Sequence, residues 1–331
     1  MICPHRYVPI STHKFRQEKN HLQCWYTTLK SDTVFMNWIR NPCASGRMNP
    51  TAPVIVAETN LRCCILNDTR PIGIFDSGVG GLTVVKSLLN QMPGENFIYF
   101  GDTAHLPYGN KSQAELFQYA QDIVGFLLQQ DVKAIVVACG THSSVTLPSM
   151  EKSCPVPIMG VVKAGAASAV QATRNGKIGI IATQASVNNG SYRQHIISQG
   201  DYQVFANACP HFVPLVEAGI FSGDELDAAI KEYISPLLEK GIDTLVMGCT
   251  HYPFLADAIA GFTGAEVTLV DPAVGTIQEL EQILKLNDMQ GAAAQGYGRF
   301  YVSGNDQSFY HAGSLLLNNN MIQKVERVCL D

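Results

Sequence analysis

Two cysteines stand in matching surroundings along this chain. Cys139 follows the apolar run Ala134–Ala138 and precedes Gly140-Thr141-His142, and Cys249 follows Thr244–Met247 and Gly248 and precedes Thr250-His251-Tyr252-Pro253. Each sits where a strand ends and a helix starts, where exposed backbone amides favour a thiolate. A free thiol, with a pKa of about 8.5, is only about 3% ionised at pH 7, so such a setting matters for reactivity. One strand-end cysteine is easily a small apolar filler. Two with the same Thr and His context argue for two half-sites of one cleft. Paired thiols suit racemisation, which removes a proton from one face of an sp³ carbon and returns one to the other. That exchange needs one thiolate and one thiol, with roles swapped in the reverse direction.

Other residues fit an amino-acid substrate. The hydroxyls of Ser77, Thr141 and Thr250 and the amides of the Ser77–Gly81 turn are candidate carboxylate donors. Asp76 is a candidate acceptor for an ammonium or a catalytic thiol, and equally a helix cap. His251, two residues from Cys249, is a candidate partner for that thiol. Glu217 follows a short apolar run and by itself reads as a surface carboxylate. Gly78-Val79-Gly80-Gly81 is too loose for a dinucleotide fingerprint, and no Walker-type Gly-Lys-Ser/Thr is present. No nucleotide requirement is read from them, and no metal site is expected.

The elements that would position these residues begin at Pro71. From there short apolar runs alternate with amphipathic stretches, which predicts βαβ units with parallel sheets covered on both faces. Strands are expected at 72–75, 97–100, 134–138, 158–161, 177–182, 203–206, 244–247, 267–270 and 299–302. Helices are expected at 82–89, 113–129, 163–173, 187–198, 224–239, 274–284 and 306–316. Ligands in such folds bind beyond the carboxyl ends of strands, where Asp76, Asp102, Cys139 and Cys249 fall. The class is α/β, with two pseudo-symmetric α/β lobes of mostly parallel strands and the active site in the cleft between them.

Composition narrows the function classes. Of 331 residues, 46% are hydrophobic and 15% charged, enough apolar material for a sizeable core, and the net charge of −5 leaves no basic footprint for nucleic acid. No apolar run reaches membrane-spanning length and no secretory leader is apparent, so a cytoplasmic location is expected. The 10 cysteines are not spaced like a secreted disulfide framework. Five of them fall in residues 1–70, whose Cys and His spacings match no regular zinc finger. That stretch is expected to be a poorly ordered extension.

Three strings together are specific: Pro71-Ile72-Gly73-Ile74-Phe75-Asp76-Ser77-Gly78-Val79-Gly80-Gly81-Leu82-Thr83, then Gly101-Asp102-Thr103 with Pro107-Tyr108-Gly109, then Gly248-Cys249-Thr250-His251-Tyr252-Pro253. In this order and spacing the chain resembles the glutamate racemase family from about Pro71 onward. The resemblance implies a cofactor-independent enzyme with glutamate between two lobes, taken here as 71–166 plus 277–331 and 167–276. It implies Cys139 and Cys249 as acid/base thiols, with Asp76, Glu217 and His251 assisting. Ser77, Pro107, Tyr108, Gly109, Thr141, Thr183 and Thr250 would bind substrate alongside Asp76 and His251. It further implies D-glutamate supply for bacterial peptidoglycan and a homodimer. One departure stands out. Family members usually carry Asn after the first cysteine, then Thr-Ala; here Gly140 offers only a backbone amide, and His142 is a candidate to fill the space. A racemase for aspartate or another amino acid, a non-catalytic amino-acid binder and a cysteine hydrolase remain alternative readings.

Overall fold

The computed structural model describes residues 68–108, 111–291, 293–317 and 322–330, together with three strands nearer the N-terminus. Those strands, β1 (Ser11–Lys14), β2 (Leu22–Thr28) and β3 (Val34–Arg40), pair antiparallel in the order β1-β2-β3. They belong to a unit spanning Met1–Ile65. The rest of that stretch, on which the expectation of poor order falls, lies outside the described residues.

The unit Leu66–Asp331 carries two parallel sheets. The first contains β4 (Ile72–Asp76), β5 (Phe97–Gly101), β6 (Ala134–Val137) and β7 (Ile158–Gly160), extended by β12 (Gly298–Val302) and β13 (Val325–Arg327). Its order is β13-β12-β5-β4-β6-β7. The second contains β8 (Lys177–Ala182), β9 (Gln203–Ala208), β10 (Thr244–Met247) and β11 (Thr268–Val270), ordered β11-β10-β8-β9. Every pairing in both sheets is parallel. Within each, the first four strands in chain order lie as second, first, third, fourth. Cys139 follows the third strand of one set and Cys249 the third of the other, so the echo in sequence is an echo in topology.

Why these segments are central strands is plain from their alternation. Successive strand side chains point to opposite faces. Ile72, Ile74, Tyr99 and Val136 pack in one cluster with Leu82, Val85 and Leu88 of α1 (Leu82–Gln91) and Ile277 and Leu280 of α11 (Pro272–Leu286). Phe75, Ile98, Phe100, Ile135 and Val137 pack on the other face with Ile123 and Leu127 of α2 (Gln113–Gln129). Both faces are apolar because both are covered, as parallel sheets require. The helix α2 starts on a capping box in which Ser112 and Glu115 satisfy each other's backbone amides. The second sheet is covered by α9 (Asp224–Leu238) on one side and by α5 (Val161–Ala172) and α7 (Ser191–Ile197) on the other. The helix α5 also packs on α11.

One expected helix is two. The stretch 187–198 is broken at Gly190, whose φ of 71° is left-handed and ends α6 (Gln184–Asn189) before α7 begins. The periodicity continues across the break, which is why the sequence alone reads as one helix. Among the described residues no helix is long and apolar enough to cross a membrane.

A buried ion pair fastens the amino ends of the first sheet. Lys133 is 1% exposed, and its Nζ donates to Glu95 Oε2 at 2.6 Å and to the carbonyls of Asp68 and Met289 at 2.8 Å each. Replacing Lys133 by Met leaves the Glu95 carboxylate buried without its counter-ion, and the expected loss of stability is about 3–5 kcal/mol. Urea unfolding measures it, and a midpoint equal to the parent's refutes it.

Candidate active site

The carboxyl ends of β4, β6, β8 and β10 converge on a cavity of about 460 Å³. Its wall includes Ser77, Pro107, Tyr108, Cys139, Gly140, Thr141, Thr183, Glu217, Cys249, Thr250 and His251. Of the residues given a catalytic or substrate-binding role from sequence, all but two line it. Asp76 lies directly behind, fully buried, and Gly109 lies outside the described residues. Both thiols face the cavity, Cys139 5% and Cys249 8% exposed.

The two lobes meet at this point. Thr141 and Thr183 place their hydroxyl oxygens 3.4 Å apart. Thr183 also caps α6 by accepting from the Ser186 amide. The Thr250 hydroxyl stands 3.4 Å from both carboxylate oxygens of Asp76. Gly140 approaches the backbone of Gly248 so closely that a Cβ on it would lie 2.6 Å from the Gly248 carbonyl oxygen. A side chain at position 140 therefore requires the two cysteine-bearing strand ends to move apart. Here Gly140 gives close backbone approach at the cost of a side-chain contact.

Cys139 occupies the N-cap position of α3 (Gly140–Val145), with no capping bond from its side chain. This short helix and α4 (Leu147–Met150) carry no apolar period, so the sequence does not announce them. Burial pushes the Cys139 thiol well up, and the nearby Asp76 charge adds to this, against the amides of His142 and Thr141. Cys139 is thus held as a thiol. After Cys249 the chain makes a single 3₁₀ turn, Tyr252–Leu255, before α10 (Ala256–Thr263).

Cys249 has a partner chain of its own. His251 Nδ1 is 3.8 Å from Cys249 Sγ, and His251 Nε2 is 2.7 Å from Glu217 Oε1. Glu217 ends α8 (Phe212–Glu217), a six-residue helix that reads in sequence as a bare apolar run. Burial alone would depress the His251 imidazolium. The contacts with Cys249 and Glu217 outweigh it and raise the pKa to about 10. The thiol, imidazole and carboxylate form a path along which a proton can leave or return to Cys249.

Of the two roles expected for Asp76, the structure displays the turn-forming one. Asp76 makes no hydrogen bond to either thiol. It accepts instead from the amides of Gly81 at 2.8 Å and Gly78 at 3.4 Å, so it shapes the glycine turn. Burial raises its pKa, against the pull of His251. The turn needs its glycines for space: a Cβ on Gly80 would lie 2.4 Å from His251 Nδ1. Gly80→Ala is expected to tilt His251 off its line between Cys249 and Glu217 and to lower kcat about 100-fold, within the range of a lost acid/base contact. Steady-state kinetics check it; a change under threefold would contradict it.

His142 does not reach the cavity. It is fully buried behind Cys139, edge-on to Tyr108 and Phe75, with Nδ1 3.2 Å from Thr146 Oγ1. Burial depresses its pKa to about 4, so it is a neutral packing group. The space it fills is in the core, not at the cavity.

Sequence reasoning overlooked Cys209, Gln184, Leu106 and Val213, which also line the cavity. Only their positions shortly after strands or beside Glu217 could have flagged them. Asp102 was quoted within a motif but given no role. Among the described residues, the wall holds no Lys or Arg, and no cluster of three or more His, Cys, Asp or Glu is arranged to hold a metal ion.

Comparison with known proteins adds an independent line. A family model described as Asp/Glu/Hydantoin racemase matches residues 72–280. The chain is 43% identical to a glutamate racemase of Desulforudis audaxviator over 267 residues, covering 78% of this chain and 97% of that one. Its fold is similar to that of the crystal structure of a Francisella tularensis glutamate racemase in complex with D-glutamate, with a TM-score of 0.74, 36% identity, and coverage of 80% and 99%. A Thermus thermophilus glutamate racemase in complex with β-chloro-D-alanine gives 0.71 and 40%, covering 80% and 98%.

Proposed function

This chain belongs to the Asp/Glu/Hydantoin racemase family, and from that premise we propose that it interconverts L- and D-glutamate without a cofactor. The observation that carries this reading is the pair of thiols delivered to one cavity from matched strand ends of two lobes. An amino acid lying between them presents its α-hydrogen to one thiolate and the opposite face of its α-carbon to the other thiol. One sulfur takes the proton as the other gives one, and the near-planar carbanion between them is short-lived. Catalysis by positioned acid and base of this kind contributes about 10²- to 10⁴-fold each.

The surroundings assign parts. Cys139, held protonated by burial, is suited to donate. Cys249, with His251 and Glu217 behind it, is suited to accept, and the parts exchange in the reverse reaction. Asp76 sets the turn and the local field. The hydroxyls of Ser77, Thr141, Thr183 and Thr250, with the Gly140 amide and the Pro107–Tyr108 segment and Gly109 beyond it, hold the carboxylates and ammonium. Neutral donors suit this task because a lysine in so small a site would pair with a thiolate and quench it.

A division into two lobes with boundaries at 166/167 and 276/277, a homodimer, and a cytoplasmic role in supplying D-glutamate for peptidoglycan complete the proposal; sheet membership supports the division, though both boundaries fall inside helices, α5 and α11, and family membership supports the others. The deciding experiment follows L- and D-glutamate by circular dichroism with no cofactor added and L-aspartate alongside. Decay of both glutamate signals to zero with aspartate unchanged is expected. Decay of aspartate alone would reassign the substrate, and no decay at all would favour a binding protein.

A further inference from the structure

Asp102 is 1% exposed and stands at the end of β5. Its carboxylate takes three donors. The Tyr108 hydroxyl donates to Oδ2 at 2.6 Å and the Ser303 hydroxyl to Oδ1 at 2.6 Å, while His105 Nδ1 lies 2.8 and 2.9 Å from the two oxygens. Tyr108 lines the cavity; Asp102 and Ser303 do not. Ser303 follows the last residue of β12, about 200 positions away in sequence. The same junction is bonded twice more: the Ala104 amide donates to Ser303 Oγ and the Gly304 amide to Thr103 Oγ1, both at 3.0 Å.

A buried carboxylate needs its lone pairs filled. Here that need is met by groups from three segments: the loop 103–105, the cavity wall at Tyr108 and the end of β12. Short bonds to a charged acceptor are about twice as strong as neutral ones. Tyr108 is buried and packs with Leu116, Cys139 and Tyr119. The Tyr108 ring has the edge of His142 on one side, with centroids 4.7 Å apart, and its hydroxyl has Asp102.

We propose that Asp102 is a positioning residue for substrate binding, acting through Tyr108 to hold the 106–108 wall of the cavity against the end of β12, with Ser303 as the far anchor. The inference rests on the racemase reading of this cavity, and it places a determinant of substrate affinity in the last tenth of the chain. It touches no reacting atom, so its mark is on KM more than on kcat.

The test uses Asp102→Ala, Asp102→Asn, Ser303→Ala and Tyr108→Phe in the full chain. Asp102→Ala is expected to raise KM for both enantiomers about tenfold, the size of one lost charge-assisted hydrogen bond, with kcat changed less than threefold. Asp102→Asn, which keeps one carbonyl oxygen and so can still accept from one of the two hydroxyls, is expected to restore part of the affinity. Ser303→Ala should shift KM in the same direction by about two- to threefold. Asp102→Ala combined with Tyr108→Phe should be no worse than the more impaired single variant, because residues that act through one contact are non-additive. Amide exchange over residues 103–108 reads the tether without turnover and should speed up in Asp102→Ala and Ser303→Ala. Parent-like KM and parent-like exchange in these variants, or additive effects of Asp102→Ala and Tyr108→Phe, overturn the proposal. If Asp102→Ala does not fold, unchanged exchange in Ser303→Ala and Tyr108→Phe overturns it equally. A parent that fails to racemise glutamate refutes the functional reading alone, since exchange still decides the tether.

Discussion

Cys139→Ser and Cys249→Ser are each expected to abolish racemisation, with kcat down at least about 1,000-fold, because a serine hydroxyl is neither ionised nor an adequate acid at neutral pH. The two variants are not expected to be equivalent. Each keeps one thiol on one face of the α-carbon. Each should therefore retain proton exchange with solvent, or elimination from an analogue with a leaving group on the β-carbon, for one enantiomer only, and the preferred enantiomer should be opposite in the two. Deuterium incorporation from D₂O, followed by NMR for each enantiomer, reads this directly. Cys209 shares the cavity wall and serves as the control: Cys209→Ser should keep two-sided exchange. Near-parent racemisation in both Cys139→Ser and Cys249→Ser would end the two-thiol mechanism.

The second large effect concerns Glu217. In Glu217→Gln the shape at His251 survives and the charge does not. The contacts with Cys249 and Glu217 hold the His251 pKa at about 10 against burial; without the carboxylate, burial gains. The imidazolium should then be lost at lower pH. The expected result is a fall in kcat/KM of about 10- to 100-fold at pH 8, with the alkaline limb of the pH profile displaced downward by more than one unit. Stability should move with it. A histidine whose folded pKa is raised adds stability that is complete below the unfolded value of about 6.5 and is lost as pH rises through the folded one. The parent's unfolding free energy should thus fall between about pH 6.5 and 10, and the Glu217→Gln variant should show a shallower fall, with the difference isolating the His251 contribution. Identical pH profiles would show that Glu217 does not control His251.

Much of the fold was legible in the sequence because buried parallel strands read as apolar runs and amphipathic helices keep a period. Leu82–Gln91, Gln113–Gln129, Lys177–Ala182 and Thr244–Met247 are such cases. What escaped is physically different. The helices after Cys139 are rich in Gly, Thr, Ser and Pro and too short to show an apolar period. The helix ending at Glu217 is six residues long with a proline inside its first turn. The break at Gly190 depends on one backbone angle.

The site was legible where chemistry sits beside a strand end and illegible where it depends on separation in sequence. His251 stood out next to Cys249. That its other nitrogen meets Glu217, 34 positions earlier, has no local signal. For Asp76 the sequence offered both a cap in the glycine turn and an acceptor role, and the bonds to the Gly78 and Gly81 amides are the first of these. His142 stood out by its neighbour, and the structure turns it away into the core between Phe75 and Tyr108.

The order of strands in the larger sheet also bears on how the protein is made. β5 is flanked by β4 and by β12, and β12 follows it by about 200 residues. At about 5–20 residues per second, a ribosome needs about 10–40 s to deliver that neighbour. During that interval the nascent β5 presents a bare edge, the kind of template on which strands from other chains can add, and Asp102 has no Ser303 to meet. The smaller sheet has no such debt, since all four of its strands emerge in one uninterrupted stretch. Folding on the ribosome is therefore expected to complete the second lobe while the first still waits for its tail, and a pulse of protease during synthesis should cut within the first lobe until the final strands appear.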